Sequence, residues 1–177
     1  MPFLQPEQAT QYLDLVPGMR VADFGCGSGH WALALAHKVG GSGKVFAIDV
    51  LPTALEATRS RAKLENLHNV ETVWGDLETP RASKLKEGLL HLVVLSNILV
   101  QAEDKLAVIS EAYRILMPEG RAVVVEWDPS SGNAAGGPSA QKIPRQDAES
   151  LMQRAGFAFE KEFSAGSYHY GLVFRKP

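Results

Sequence analysis

The chain has 177 residues, of which 45% are hydrophobic and 21% are charged, and its formal net charge is −2. This composition is typical of a globular protein and excludes a disordered, collagenous or coiled-coil chain. The small net charge argues against a domain that neutralises many phosphates, and the single cysteine, Cys26, excludes an internal disulfide and a cysteine-based zinc site.

Short runs of apolar and β-branched residues predict strands over residues 21–24, 45–48, 70–74, 92–95 and 122–125. Several of these runs are apolar at consecutive positions, which is typical of strands that are buried on both faces of a parallel sheet. Helical patterns lie between the runs and cover residues 5–16, 31–39, 52–64 and 102–116. This alternation indicates an open, doubly wound α/β sheet in a single domain over residues 1–177.

The last third of the chain departs from this alternation. Residues 127–144 contain nine Gly, Pro or Ser in 18 positions, and a loop of that length is usually functional or disordered. A helix is then predicted over residues 145–155, followed by strands over residues 157–164 and 168–175 that form a hairpin.

No part of the sequence predicts an exported or membrane-spanning protein. The N-terminus has no basic region followed by an apolar run, so it does not look like an export signal. The longest apolar runs are far too short to span a bilayer. We therefore expect a cytoplasmic protein with no membrane span.

The most specific motif follows the first predicted strand. Asp23 is followed by glycines at positions 25, 27 and 29, and a helix is predicted directly after them. Glycines let the backbone approach a ligand closely, and the start of the helix offers free N–H groups. The dinucleotide fingerprint requires a glycine where His30 stands, which disfavours a nicotinamide-dependent oxidoreductase. Asp23 itself either contacts the bound ligand or is a solvated strand end.

Polar residues also follow the next three predicted strands. Asp49 ends the second strand, 20 residues after Gly29, where an acid in a nucleotide-binding unit accepts hydrogen bonds from ribose hydroxyls. Asp76 closes the third strand, and Ser96 and Asn97 end the fourth. Doubly wound sheets bind ligands at the carboxyl ends of their strands, so we expect these residues and the glycine loop to face one crevice.

On these motifs the chain resembles the class I S-adenosylmethionine-dependent methyltransferases, and most closely the branch of ubiquinone/menaquinone biosynthesis and arsenite methylation. The matching parts are the glycine motif, the strand that ends in Asp49, the Gly75-Asp76 step and the segment 111–121. The resemblance implies S-adenosylmethionine as the cofactor. It also implies a Rossmann-like, mostly parallel seven-stranded sheet whose last strand is antiparallel.

The resemblance further implies which residues bind this cofactor. Asp49 should hold the ribose, and Val50 should pack on the adenine. Asp76 and Leu77 should bracket the amino edge of the adenine, and Ser96 should offer its backbone to the methionine part. The methionine part should be lined by Gly25, Cys26 and Gly27 of the glycine loop.

Two departures from the family narrow the expected chemistry. The fourth strand ends in Ser-Asn-Ile-Leu (residues 96–99), and not in the Asn/Asp-Pro-Pro-aromatic element of amino-directed nucleic-acid methyltransferases. Methylation of adenine or cytosine amino groups is therefore disfavoured. Arsenite methyltransferases use several cysteines as substrate ligands, so the lone Cys26 argues against arsenic chemistry.

Candidate catalytic residues end the fourth and fifth strands. Asn97 either hydrogen-bonds the acceptor or caps the following helix. Glu126 and Asp128 flank Trp127, and either acid is a candidate base or a ligand for a cationic amine. Trp127 either faces the acceptor or packs under the glycine-rich loop. His169 opens the last strand and is expected to be structural. Methyl transfer from this cofactor requires no metal and no covalent nucleophile.

Three hypotheses of function follow. The first is methyl transfer to a small-molecule or lipid-like acceptor, in an open site with residues 127–144 as a lid. The second makes ribosomal or transfer RNA the acceptor. The third is a non-catalytic module that binds S-adenosylmethionine. The RNA hypothesis predicts a basic patch formed by Arg59, Arg61, Lys63, Lys84 and Lys86. The sequence makes no prediction of the oligomeric state.

Overall fold

A seven-stranded sheet forms the centre of the computed structural model, which describes residues 4–131 and 142–177. The strands are β1 (Arg20–Phe24), β2 (Lys44–Asp49), β3 (Val70–Trp74), β4 (Leu90–Ser96), β5 (Leu116–Trp127), β6 (Ala158–Ser164) and β7 (His169–Arg175). Their order in the sheet is β3-β2-β1-β4-β5-β7-β6. Strands β1 to β5 are parallel, and β7 runs antiparallel to both β5 and β6. The predicted Rossmann-like sheet with an antiparallel last strand is confirmed.

Helices cover both faces of this sheet. They are α1 (Pro6–Ala9), α2 (His30–Val39), α3 (Pro52–Leu64), α4 (Lys105–Ile115) and α5 (Arg145–Arg154). Helix α4 starts three residues later than the sequence predicts, because the Asp104 side chain accepts a hydrogen bond from the Ala107 N–H and caps the helix there.

The prediction of a helix over residues 5–16 is wrong for most of that range. Only α1 is α-helical, and a 3₁₀ turn over Thr10–Tyr12 follows it. Asp14 then adopts a left-handed backbone with φ of 50°, which ends the helical path. Pro17 further disfavours a helical conformation for the residue before it.

Apolar residues at consecutive positions of the central strands pack into two separate hydrophobic cores, one on each face of the sheet. Phe24 and Leu95 pack on the side of α4 and α5, whereas Val21 and Val94 pack on the side of α2 and α3. All four side chains are fully buried. This two-sided burial explains why these strands show no alternation of polar and apolar residues.

Strand β5 is longer than the predicted run over residues 122–125. It begins at Leu116, which pairs with Leu90, whereas Leu92 pairs with Arg121. Residues 117–120, which include Pro118 and Gly120, lie in between and form an irregularity inside the strand. Regular pairing resumes at Arg121 and brings the end of β5 level with the end of β4.

The helix and the hairpin predicted near the C-terminus are present as α5, β6 and β7, each within one residue of its predicted bounds. Residues 132–141, on which most of the predicted lid falls, lie outside the described residues. In the described part of the chain, no helix has the length and apolar character needed to cross a bilayer.

Candidate active site

Two cavities lie at the carboxyl end of the parallel strands. The larger cavity, of about 480 Å³, is lined by the glycine loop, the start of α2 and the N-terminal residues 4–7. The smaller cavity, of about 270 Å³, is lined mainly by residues that follow β2, β3 and β4. The residues common to both are Gly25, Gly27, Ser96 and Asn97. The two cavities therefore meet at the ends of β1 and β4.

The glycine loop has a left-handed backbone at Gly25, Gly27 and Gly29, with φ values of 70°, 52° and 87°. A Cβ atom on Gly25 would lie 2.9 Å from Ile98 Cδ1, and one on Gly29 would lie 2.8 Å from Thr58 Oγ1. A Cβ atom on Gly27 would meet nothing within 4 Å, because this residue faces open space. Gly25 and Gly29 thus allow close packing, while Gly27 leaves room beside both cavities.

Asp49, at the end of β2, connects the glycine loop to the turn before α3. Its Oδ2 accepts a hydrogen bond from the Gly27 N–H at 2.9 Å, and its Oδ1 accepts one from the Leu51 N–H at 2.9 Å. Each oxygen of an ionised carboxylate has a second lone pair. Asp49 lines the smaller cavity, so a ligand there meets a carboxylate that the backbone already holds in place.

Asp76 lines the same cavity as Asp49, together with Leu77 and Val50. Its Oδ1 accepts a hydrogen bond from the Glu78 N–H at 3.1 Å. On the rim, the Trp74 Nε1–H donates to the Val50 carbonyl oxygen at 3.0 Å. The smaller cavity therefore presents two carboxylates and two aliphatic side chains to one ligand.

The larger cavity contains buried polar atoms that have no partner in the structure. Asp23 is 1% exposed, so it is not a solvated strand end. It accepts a hydrogen bond from the Ala32 N–H, but its Oδ2 has no partner, and burial raises its pKa to about 7. The indole N–H of Trp31 is likewise unpartnered. Both residues line the cavity, which therefore suits a polar ligand.

Cys26 also lines the larger cavity. The Thr58 hydroxyl donates to its Sγ at 3.5 Å. Burial raises the pKa of this thiol to about 12. The side chain is therefore a neutral thiol at physiological pH and lacks the thiolate that a nucleophile requires.

Glu126 does not line either cavity, because its side chain is fully buried beneath the turn that follows β4. Its Oε1 accepts hydrogen bonds from the Leu99 N–H at 2.9 Å and from the Val100 N–H at 3.4 Å. Burial raises the pKa of Glu126 to about 7, and its Oε2 has no partner. Its neighbour Asp128 accepts a hydrogen bond from the Ser130 N–H and stabilises the next turn. The structure thus places both acids as supports of turns.

Asn97 and Trp127 are brought together by His169, which the sequence alone did not single out for the site. Asn97 Nδ2 lies 3.4 Å from His169 Nε2. Trp127 and His169 are paired across β5 and β7, and their ring centroids are 4.1 Å apart. Burial lowers the pKa of His169 to about 4, so its imidazole is neutral at physiological pH. Only the pairing of β5 with β7 reveals this contact.

Comparisons with known proteins agree with this geometry. Residues 15–161 match the family described as "Methyltransferase domain". A demethylmenaquinone methyltransferase from Lactococcus lactis subsp. lactis is 33% identical over 109 residues, which cover 62% of this chain and 42% of that protein. The chain aligns with half or less of the length of the first curated relatives that it matches.

Solved structures share the fold. A SAM-dependent methyltransferase from Aquifex aeolicus superposes with a TM-score of 0.90 at 21% identity, over 99% of this chain and 91% of that one. The [4+2]-cyclase SpnF superposes with a TM-score of 0.79 at 18% identity, over 97% of this chain and 80% of that one. Because the family match extends over most of its length, the chain belongs to the class I S-adenosylmethionine-dependent methyltransferases.

Proposed function

We propose that this chain transfers the methyl group of S-adenosylmethionine to a nucleophilic atom of a small-molecule acceptor. The observation that carries this proposal is that all residues assigned to the cofactor from the sequence line two adjoining cavities. These residues are Asp23, Gly25, Cys26, Gly27, Asp49, Val50, Asp76, Leu77 and Ser96.

The donor atoms of the two cavities fit the two parts of this cofactor. In the smaller cavity, Asp49 would accept from the ribose hydroxyls and Asp76 from the adenine amino group, with Val50 and Leu77 against the ring. In the larger cavity, the unpartnered Oδ2 of Asp23 would accept from the ammonium of the methionine part.

When bound, the cofactor supplies a methyl group that is already activated on a sulfonium. The chain therefore has to orient the acceptor and exclude water, and good orientation alone supplies roughly 7–11 kcal/mol of the barrier. Asn97 stands at the junction of the cavities, where an acceptor would approach, and it is linked to Trp127 through His169, which both residues contact. Glu126 serves as a positioning residue, because it holds the N–H groups of the turn that lines the smaller cavity.

A small molecule is the acceptor that the comparisons favour, through the relative named as a demethylmenaquinone methyltransferase. Three of the basic residues proposed for RNA binding already have contacts within the chain. Arg61 Nη1 lies 3.0 Å from His30 Nδ1. Arg59 is ion-paired with Glu56, and the Lys84 ammonium lies 5.3 Å from the centre of the Trp74 ring. The non-catalytic hypothesis is one outcome of the transfer assay described below, because a fold does not by itself determine a function.

Calorimetric titration of S-adenosylmethionine into the Asp49→Asn variant tests the cofactor assignment. The amide loses the charge and keeps an acceptor for only one of the two backbone N–H groups that Asp49 binds, so thermal unfolding of the variant is measured beside its binding. We expect binding to weaken by roughly 10-fold to 100-fold, because a charge-assisted hydrogen bond contributes about 1.5–3 kcal/mol. The control is Asp147→Asn, an exposed acid in the first turn of α5. Unchanged affinity in Asp49→Asn would refute the assignment.

A transfer assay with a radiolabelled methyl group tests the reaction. Lysate is separated into small-molecule, lipid, RNA and protein fractions, and each is incubated with the protein and labelled cofactor. Label in the small-molecule or lipid fraction supports the proposal, and label in RNA supports the RNA hypothesis. Tight cofactor binding without label in any fraction supports the non-catalytic hypothesis.

A further inference from the structure

Asn97 occupies a distinct position among the residues that line both cavities. Two of the four shared residues are glycines, and only Ser96 and Asn97 carry side chains. The Asn97 amide extends toward β7, where its Nδ2 lies 3.4 Å from His169 Nε2. Its backbone is left-handed, with φ of 53°, and its N–H donates to the Val125 carbonyl. The ends of β4 and β5 thus hold this amide at the junction of the cavities.

Two buried polar atoms without partners lie at this contact. They are Asn97 Oδ1 and His169 Nδ1. Buried polar atoms nearly always have a hydrogen-bond partner, so two such atoms on one contacting pair of side chains indicate a place for a ligand. His169 is 7% exposed and lies against the Trp127 ring, so its unpartnered nitrogen is held by packing.

The pair formed by Asn97 and His169 offers one donor and one acceptor without a net charge. The imidazole is neutral, because burial and the nearby Lys142 lower its pKa to about 4. If Asn97 Nδ2 donates to His169 Nε2, then His169 Nδ1–H is a free donor and Asn97 Oδ1 is a free acceptor. If the amide is turned the other way, Asn97 carries the free donor and His169 the free acceptor. The pair then still offers one donor and one acceptor.

A neutral hydroxyl group matches this complement, because it donates one hydrogen bond and accepts another. An ammonium group only donates, and the positive charge of Lys142 near His169 disfavours it further. A carboxylate only accepts. The Trp127 ring beside His169 adds an apolar surface for the carbon atoms next to the hydroxyl.

We propose that Asn97 and His169 form a subsite that binds the methyl acceptor through a neutral hydroxyl group, with Trp127 against its adjacent carbon atoms. This inference rests on the proposed function, because it places the acceptor where the two parts of the cofactor would join. His169 thereby becomes a binding residue, in contrast to the structural role expected from its sequence position.

Binding of three small probes of similar shape tests the subsite. Benzyl alcohol, benzylamine and toluene are titrated into the protein saturated with S-adenosylhomocysteine, and binding is followed by nuclear magnetic resonance. We expect benzyl alcohol to shift the resonances of Asn97 and His169. We expect benzylamine, a cation at neutral pH, and toluene to bind at least 10-fold more weakly.

Two variants identify the atoms responsible. His169→Phe keeps a ring against Trp127 and removes both nitrogens, so we expect benzyl alcohol to bind at least 10-fold more weakly. His169→Gln restores a donor and an acceptor, and we expect it to recover most of the affinity. Asn97→Gly keeps the left-handed backbone and removes the amide, with a similar expected loss. The matched control is Asn66→Gly, at a left-handed asparagine with φ of 55° after α3.

Failure of this inference is distinguishable from failure of the proposed function. If S-adenosylhomocysteine binds by calorimetry but benzyl alcohol does not bind, the subsite is refuted and the cofactor assignment stands. Equal affinity of benzyl alcohol for the wild type and His169→Phe also refutes the subsite. If S-adenosylhomocysteine does not bind, both the subsite and the proposed function are refuted.

Discussion

The two sides of the site differ in how their polar groups are satisfied. At the ends of β2 and β3, both oxygens of Asp49 accept backbone N–H groups, and Asp76 accepts another. At the ends of β4, β5 and β7, Asn97, Glu126 and His169 each retain a buried atom without a partner. We call these two regions the adenosine side and the acceptor side, after the roles proposed for them above. The carboxylates of the adenosine side already have backbone partners, whereas the acceptor side retains buried polar atoms that have none.

The two sides also differ in how far apart in the sequence their contacting residues are. Asp49 and Asp76 each accept from the N–H group two residues ahead, and Asp49 also accepts from the Gly27 N–H, 22 residues back. Asn97 and His169, in contrast, are 72 residues apart, and Glu126 accepts from the Leu99 N–H, 27 residues back. Local turns form part of the adenosine side, whereas the acceptor side depends entirely on contacts between distant residues.

We expect the largest effect on stability at Gly75, where the backbone of the adenosine side leaves no space for a side chain. A Cβ atom on Gly75 would lie 2.2 Å from the Ala82 carbonyl oxygen, so Gly75→Ala must displace the backbone next to Asp76. We expect the free energy of unfolding in urea to fall by about 3 kcal/mol or more. Gly41→Ala, where a Cβ atom meets nothing within 4 Å, should change it by less than about 0.5 kcal/mol. Equal stabilities would show that the adenosine side is not rigid.

On the acceptor side, Glu126 is expected to make stability depend on pH. Burial raises its pKa to about 7 in the folded state, whereas the ordinary value of a glutamate carboxyl, which applies to the unfolded chain, is 4.5. The folded state therefore binds more protons between these values, and its stability falls as pH rises from about 4.5 to about 7, by about 1.4 kcal/mol per pH unit. Glu126→Gln removes this contribution while retaining an oxygen for the Leu99 N–H.

The measurement is the free energy of unfolding of wild type and Glu126→Gln at several pH values. We expect the variant to gain stability relative to the wild type as the pH rises through this window. Taking the difference removes the contributions of Asp23, which has the same sign, and of His169, whose lowered pKa gives the opposite sign. If the difference in the free energy of unfolding between variant and wild type does not change with pH, the raised pKa of Glu126 is contradicted.

We expect the smallest effect, a small loss of cofactor affinity, at the rim of the smaller cavity. Trp74→Phe removes the N–H that donates to the Val50 carbonyl and keeps an aromatic ring. Since Trp74 is 53% exposed, we expect a loss of about 0.7 kcal/mol, or roughly a 3-fold weaker binding of S-adenosylmethionine by calorimetry. Tyr12→Phe, at another exposed aromatic residue, is the control. An effect above roughly 10-fold would show that this rim is less preformed than the structure indicates.

The local origin of the adenosine side explains why the sequence predicts it well. The glycine loop, Asp49 and Asp76 lie within or directly after predicted strands, so strand order alone brings them together. Their predicted placement in one crevice agrees with the cavities that they line. Their roles toward the cofactor remain predictions.

The acceptor side could not be derived in the same way. Nothing near His169 in the sequence reveals that it faces Trp127, because this contact depends on the register between β5 and β7. The fit of Glu126 beneath the turn after β4 depends on where the irregularity in β5 ends.

The reversed direction of β7 has a consequence for how such a protein diversifies. A strand that runs against its neighbours begins at the edge where they finish, so its first residue, His169, reaches the catalytic edge without a crossover helix. A substitution at this first residue can therefore change the proposed acceptor subsite, while the buried residues Leu172, Val173 and Phe174 keep the strand in the sheet.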